Sequence, residues 1–101
     1  MAQFDVYLNP NEAMSDIFPF LLDIQNDLHD SLPHRLVIPL ARGQKRIQKL
    51  NPAFTILDQD VILFTEQTAS IPLSYCGKKV DNLEAHSSEI FDALDFLVHG
   101  F

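Results

Sequence analysis

The sequence predicts an α+β fold that is mainly β: short antiparallel strands joined by tight turns, then one C-terminal α-helix. Three observations lead there. Up to about residue 80, apolar residues alternate with polar ones or form short runs broken by Pro, Gly, Asn and Asp. From Ile90 onward the period becomes helical, with Ile90, Ala93, Leu94, Leu97 and Val98 at i, i+3/i+4 and i+7. Strands with short turns followed by a single helix are the pattern of an antiparallel α+β domain or a small barrel.

Each element has its own local reason. Phe4-Asp5-Val6-Tyr7-Leu8 alternates like a half-buried strand, and Asn9-Pro10-Asn11 ends it. Residues 11–17 read as a loop. The apolar run Phe18 to Ile24 contains Pro19, so it is either an edge strand or a strand starting after the proline. Asp27 to Leu32 reads as a turn, and Arg35 to Leu40 as a buried strand. Residues 41–50 are basic and contain Gly43, which predicts a solvated loop. Phe54–Leu57 and Val61–Thr65 form a hairpin around Asp58-Gln59-Asp60. Ser70 to Tyr75 is a strand interrupted by Pro72, Cys76 to Lys79 a turn, and Val80 closes a short strand. For the helix, Asn82, Ser87 or Ser88 can cap the start. Glu84 and Glu89 favour its first turn, and Gly100 stands where a C-cap glycine belongs.

At 101 residues, one domain spanning 1–101 is expected, burying roughly 60–65% of its unfolded surface. The lone cysteine, Cys76, rules out an internal disulfide framework and a cysteine-type metal site. A reducing, cytoplasmic setting is expected. The first residues lack the basic and apolar regions of a signal peptide. No apolar run reaches the ~20 residues of a membrane span.

Seven basic against fourteen acidic residues give a net charge of −7, which argues against nonspecific nucleic-acid binding. Five of the seven cations fall between 35 and 49: Arg35, Arg42, Lys45, Arg46 and Lys49. That asymmetry reads either as a solvated loop or as a docking surface.

No catalytic constellation emerges. His29, His34, His86 and His99 lack metal-ligand spacing, and no cofactor is expected. Gly43 and Gly77 are isolated, so no phosphate-cradling loop is present. Asp23 and Asp27 read either as a carboxylate pair or as turn-forming and strand-capping acids. Cys76 is expected to be structural, although Lys78 and Lys79 beside it can lower a thiol pKa.

Several segments in order resemble the CcdB family of toxins from toxin–antitoxin modules. They are Gln3-Phe4 with Val6-Tyr7, Asp23-x-Gln25-x-Asp27, Arg35-x-Val37-Ile38-Pro39-Leu40, and Thr65 with Ala69-Ser70-Ile71-Pro72. Gly77, Leu83, Ile90, Ala93 and Gly100 complete the series. The resemblance implies an SH3-like antiparallel barrel or sheet of the CcdB/MazF-like toxin fold, with the one C-terminal helix. It also implies a homodimer without catalytic activity that poisons DNA gyrase by binding its A subunit and trapping the cleavage complex. A CcdA-like antitoxin would neutralise it.

By the same resemblance the gyrase contact falls on the ending His99-Gly100-Phe101, with His99 where the family carries tryptophan. Further contacts fall on Leu28 and His29, where the family has two isoleucines, and on Asp95, where it has asparagine. Arg42, Lys45, Arg46 and Lys49 are candidate antitoxin contacts, as an electrostatic landing site for an acidic tail. Two alternatives stay open. One is a non-toxic or weakly toxic homologue that still binds antitoxin. The other is an mRNA-cleaving toxin of the same fold superfamily, for which the basic loop is the one supporting feature.

Overall fold

The computed structural model describes residues 2–43 and 45–100. Seven strands and one helix follow in chain order: β1 (Asp5–Leu8), β2 (Phe20–Asp23), β3 (His34–Ala41), β4 (Ala53–Ile56), β5 (Gln59–Leu63), β6 (Ala69–Pro72), β7 (Lys79–Asn82) and α1 (Ser87–His99). The fold is α+β and mainly β: a curled antiparallel sheet, open as a half-barrel, with a C-terminal helix.

The sheet runs β4-β5-β3-β2-β1-β7, with β6 also on β3. β3 is the hub. One edge pairs with β2 from Val37 to Leu40. The other edge is divided: Leu40 and Ala41 take β5, whereas His34 to Val37 take β6. Pro19 precedes β2 and leaves its hydrogen-bonding residues intact, so β2 is an inner strand that starts after the proline.

Three sequence expectations shift. The hairpin turn is Leu57-Asp58, and Gln59 and Asp60 belong to β5. Leu57 (φ 50°) and Asp58 (φ 61°) are both left-handed, which a two-residue hairpin requires to match strand twist. Thr65 leaves the strand for a 3₁₀ turn, where its hydroxyl donates to Leu50 O at 2.5 Å. Likewise, β6 ends at Pro72 and a 3₁₀ turn spans Leu73–Tyr75.

The helix begins at Ser87 without a serine cap. Asn82 instead accepts the Glu84 N–H (2.8 Å) and starts a 3₁₀ turn, Glu84–His86, that leads into α1. Gly100 closes the helix as expected, at φ 79° with its N–H on Phe96 O (2.8 Å).

The core gathers alternate residues from the sheet: Val6, Phe20, Leu22, Ile38, Leu40, Phe54, Ile56, Val61 and Leu63, with Leu83 and Ile90 closing over them. Ile90 is fully buried, so truncation to alanine costs about 2–5 kcal/mol. The His86 ring meets Phe54 of β4 (5.3 Å) and Phe91 meets Phe4 (5.6 Å). The start of the helix therefore spans the open sheet from its β4 side to its β1 side.

Phe4 has φ 72°, a conformation that strains a bulky residue by about 1–3 kcal/mol. The strain is over-determined. Its N–H donates to Asp23 O (2.6 Å), its carbonyl accepts from Leu83 N (2.8 Å), and its ring is buried against Phe91.

The other face of β1, β2 and β3 buries three charged side chains beside Tyr7, Leu21 and Val37. Asp5, Asp23 and Arg35 are at most 3% exposed. Gly77 lies close over Leu8: it donates to Leu8 O (3.0 Å), and a Cβ there would overlap that carbonyl oxygen. Only glycine permits this approach.

Candidate functional site

The expected gyrase contacts occupy two separate places. Leu28 and His29 stand on a 3₁₀ turn, Asp27–His29, between β2 and β3. Asp95, His99 and Gly100 lie exposed at the end of α1. Phe101 falls outside the described residues. Arg42, Lys45, Arg46 and Lys49 lie exposed on the loop between β3 and β4.

The 27–29 turn is held by side chains rather than by burial. Asn26 caps it, with Oδ1 accepting the Leu28 N–H (2.8 Å) while the Asn26 carbonyl accepts the His29 N–H (2.9 Å). Gln25 Nε2 donates to His29 O (2.7 Å), and Gln25 Oε1 accepts the Leu36 N–H of β3 (3.0 Å). Asp27 Oδ1 accepts the Gln3 N–H (2.8 Å). Arg35 Nη1 reaches Asp30 Oδ1 (2.9 Å) from below. Leu28 itself is 87% exposed, the most exposed large apolar side chain among the described residues.

Arg35 is fully buried, as is its main partner. Its Nε and Nη2 both lie 2.7 Å from Asp23 Oδ2, while Asp23 Oδ1 accepts the Gln25 N–H (2.9 Å). Burial pushes the Asp23 carboxyl up, against the hydrogen bonds from Gln25 and Arg35 that pull it down. The asymmetric fork leaves Arg35 Nη2 without a well-aligned acceptor.

Asp5 moves the other way. Burial works to raise its pKa, but hydrogen bonds from Asn82, Ala2 N–H, Lys79 and Tyr7 together hold it below the usual carboxylate range. Tyr7 donates to Asp5 Oδ2 (3.1 Å), and burial with that neighbouring charge raises its phenol above the usual range.

Asp23 and Asp27 therefore do not form a carboxylate pair. One is buried on a guanidinium, whereas the other is exposed at the turn. Cys76 behaves as a structural thiol. Burial, then the Asp23 charge, pushes it up, with Arg35 opposing, and the neighbouring lysines do not activate it. Among the described residues, no group of three or more His, Cys, Asp or Glu side chains is placed to hold a metal ion. No helix there is long and apolar enough to cross a membrane.

The end of α1 and the basic loop face each other across a groove of about 670 Å³. Arg46 and Lys49 line one wall, and Asp92, Asp95, Phe96 and His99 line the other. Residues expected to meet two different partners thus share one groove. Arg42 faces elsewhere, donating to Gln59 Oε1 (2.7 Å). Lys45 does not line the groove either. The far end of the loop is fixed by buried Asn51. It accepts the Ile47 N–H (2.9 Å) and donates to Leu63 O (3.0 Å) and Glu66 Oε1 (2.7 Å).

The roles of Gln25, Asn26, Asp30 and Asn51 escaped the reading of the sequence. An Asx signal was present at Asn26 and Asp27, since both residue types hydrogen-bond nearby backbone. Nothing local announces that Arg35, seemingly one of a basic cluster, is buried on Asp23, because that pairing spans two strands.

Those two residues belong to the ordered segments that also carry the likeness to known proteins. The family model described as CcdB protein matches residues 3–100, which takes in β1 through α1 and both candidate contact regions. The chain belongs to the CcdB protein family.

Proposed function

We propose that this protein is the toxin of a toxin–antitoxin module and acts by binding the A subunit of DNA gyrase, trapping the cleavage complex without catalysing a reaction of its own. The observation that carries the reading is the family match over residues 3–100, which includes Leu28, His29, Asp95, His99 and Gly100. All five are exposed, on a hydrogen-bonded turn and at a glycine-capped helix end. His99 takes the place of the family's tryptophan, where an imidazole ring offers a guanidinium a smaller stacking area than an indole. Phe101 is the second ring of that ending.

A CcdA-like antitoxin is the proposed neutralising partner, with Arg46 and Lys49 attracting its acid across the groove and Arg42 and Lys45 adding to the field. Dimerisation is supported by apolar surface on α1, where Phe91 and Leu97 are more than 40% exposed and Val98 is 72% exposed. The site of action is the cytoplasm, where gyrase is found.

Purified protein with gyrase, supercoiled DNA and ATP is expected to yield linear DNA after denaturation. Normal supercoiling with no trapped cleavage at micromolar protein would refute the reading. In the same assay His99→Trp should raise potency, and an unchanged or lower potency removes the stacking argument. Incubation with RNA in EDTA should leave the RNA intact. The acidic wall formed by Asp92 and Asp95 opposes phosphate in the groove that the basic loop borders.

A further inference from the structure

A leucine that is 87% exposed gains nothing from burial in the free protein, yet the segment beneath it is held by four side-chain hydrogen bonds. One of these bonds, at Asp30, leads to a buried group. Arg35 is tied to Asp23 of β2 through two nitrogens and extends Nη1 outward to Asp30, the residue that follows the turn. A fully buried ion pair adds little stability over apolar residues of similar volume, because desolvation offsets the attraction. Its asymmetric fork even leaves Nη2 poorly satisfied. What the pair does supply is a rigid link between two inner strands and a surface turn.

We propose that Arg35 is a positioning residue for partner binding: the chain Asp23–Arg35–Asp30 fixes the 27–30 turn so that Leu28 is presented to a protein partner as a preset apolar anchor. A turn already ordered before binding avoids the entropy of ordering at the interface. Gln25 works in parallel, since its two amide atoms connect His29 O to the Leu36 N–H of β3. This inference rests on the proposed gyrase contact for its partner, but the brace itself exists in the free protein and can be tested there.

Asp30→Ala removes the outer link and leaves the buried pair intact. Because the Asp30 side chain is 54% exposed, the unfolding temperature should move by no more than about two degrees. In the free protein, amide exchange at Leu28 and His29 should quicken about tenfold through local opening. Affinity for the gyrase A subunit should fall about tenfold, as should that of Leu28→Ala. Asp30→Asn keeps an acceptor oxygen and should recover most of both effects, which a mere change of charge would not do. In the double variant the loss should be smaller than the product of the single losses, because Asp30 acts through Leu28.

Unchanged exchange at Leu28 and His29 in Asp30→Ala overturns the brace. Independent, multiplicative losses of affinity overturn the coupling to Leu28. If the wild-type protein does not bind gyrase at all, the proposed function fails while the exchange measurement still decides whether the turn is braced.

Discussion

Two of the segments that carry candidate contacts project from the sheet, and they are built in opposite ways. The 25–30 segment is wired: Gln25, Asn26, Asp27 and Asp30 each spend a side chain on fixing backbone or on Arg35. The 42–49 loop carries four exposed cations. Among its described residues, the side chains make few internal bonds, chiefly Arg42 to Gln59 (2.7 Å) and a long Arg46 contact to Gln48 O (3.5 Å). An apolar anchor gains from being held in advance, because its contact is short-ranged and shape-dependent. Charge acts over about 8–10 Å in physiological salt, so a steering surface needs little geometric precision. The contrast in wiring thus mirrors a contrast between recognition by shape and attraction by field.

The largest way to break the contrast is Arg35→Ala. It strands the buried Asp23 carboxylate and should destabilise the protein by about 3–5 kcal/mol in chemical denaturation. Asp23→Leu with Arg35→Met should recover most of that stability but not the order of the 27–30 turn. Recovery of both would show that ordinary packing suffices to hold it.

A smaller effect is expected at the root of the other segment. Asn51→Ala removes three hydrogen bonds and leaves the Leu63 carbonyl and Ile47 N–H unpaired, for about 1–3 kcal/mol. Proteolysis should then attack the 42–49 loop and spare the 25–30 turn. Equal cleavage at both would erase the distinction.

Acid tests the buried face beneath the braced turn. Asp5 is held below its unfolded value of ~3.9, so its contribution is present above that pH and is lost as pH falls through its lower folded value. Asp23 has the opposite sign: its raised folded value adds stability as pH falls through it. Asp5→Asn should therefore flatten the loss of stability between neutral pH and about pH 2. An acid limb as steep as the wild type's would place the responsible carboxylate elsewhere.

The smallest effect on stability, within about 0.5 kcal/mol, is expected from reversing Arg46 and Lys49 to glutamate. Association with the antitoxin should slow and lose its salt dependence, while the dissociation rate changes far less. An unchanged salt dependence would leave the loop as solvated surface only.

The strands and helix were legible because each is announced by its own few residues. Alternation marked β1, the period from Ile90 marked α1, and Gly100 marked its end. Turn chemistry was half legible. Asp58 was correctly placed at the β4–β5 reversal, but Leu57 at φ 50° has no sequence signature, since tertiary pairing imposes that conformation. Long-range polar pairing was not legible. Asp23 and Arg35 are twelve residues apart and become partners only because β2 and β3 run antiparallel side by side. The groove was invisible for the same reason: it joins a loop after β3 to the last turns of the helix. The resemblance pointed to Asp95 and His99 and the charge pattern to Arg46 and Lys49, but neither could show that these residues share a groove.

The pairing of Asp5 with Asn82 and of Tyr7 with Lys79 has a consequence for synthesis. β1 leaves the ribosome well ahead of the strand that covers its outer edge, which is made only after some seventy further residues. Until then, a nascent chain carries an unpaired strand edge beside apolar surface that still lacks Ile90. The helix end, with Asp95 and His99, emerges later still. A ribosome halted before β7 therefore holds a chain prone to non-native pairing and without the helix-end contacts, so the proposed toxin would become competent only once α1 has been made.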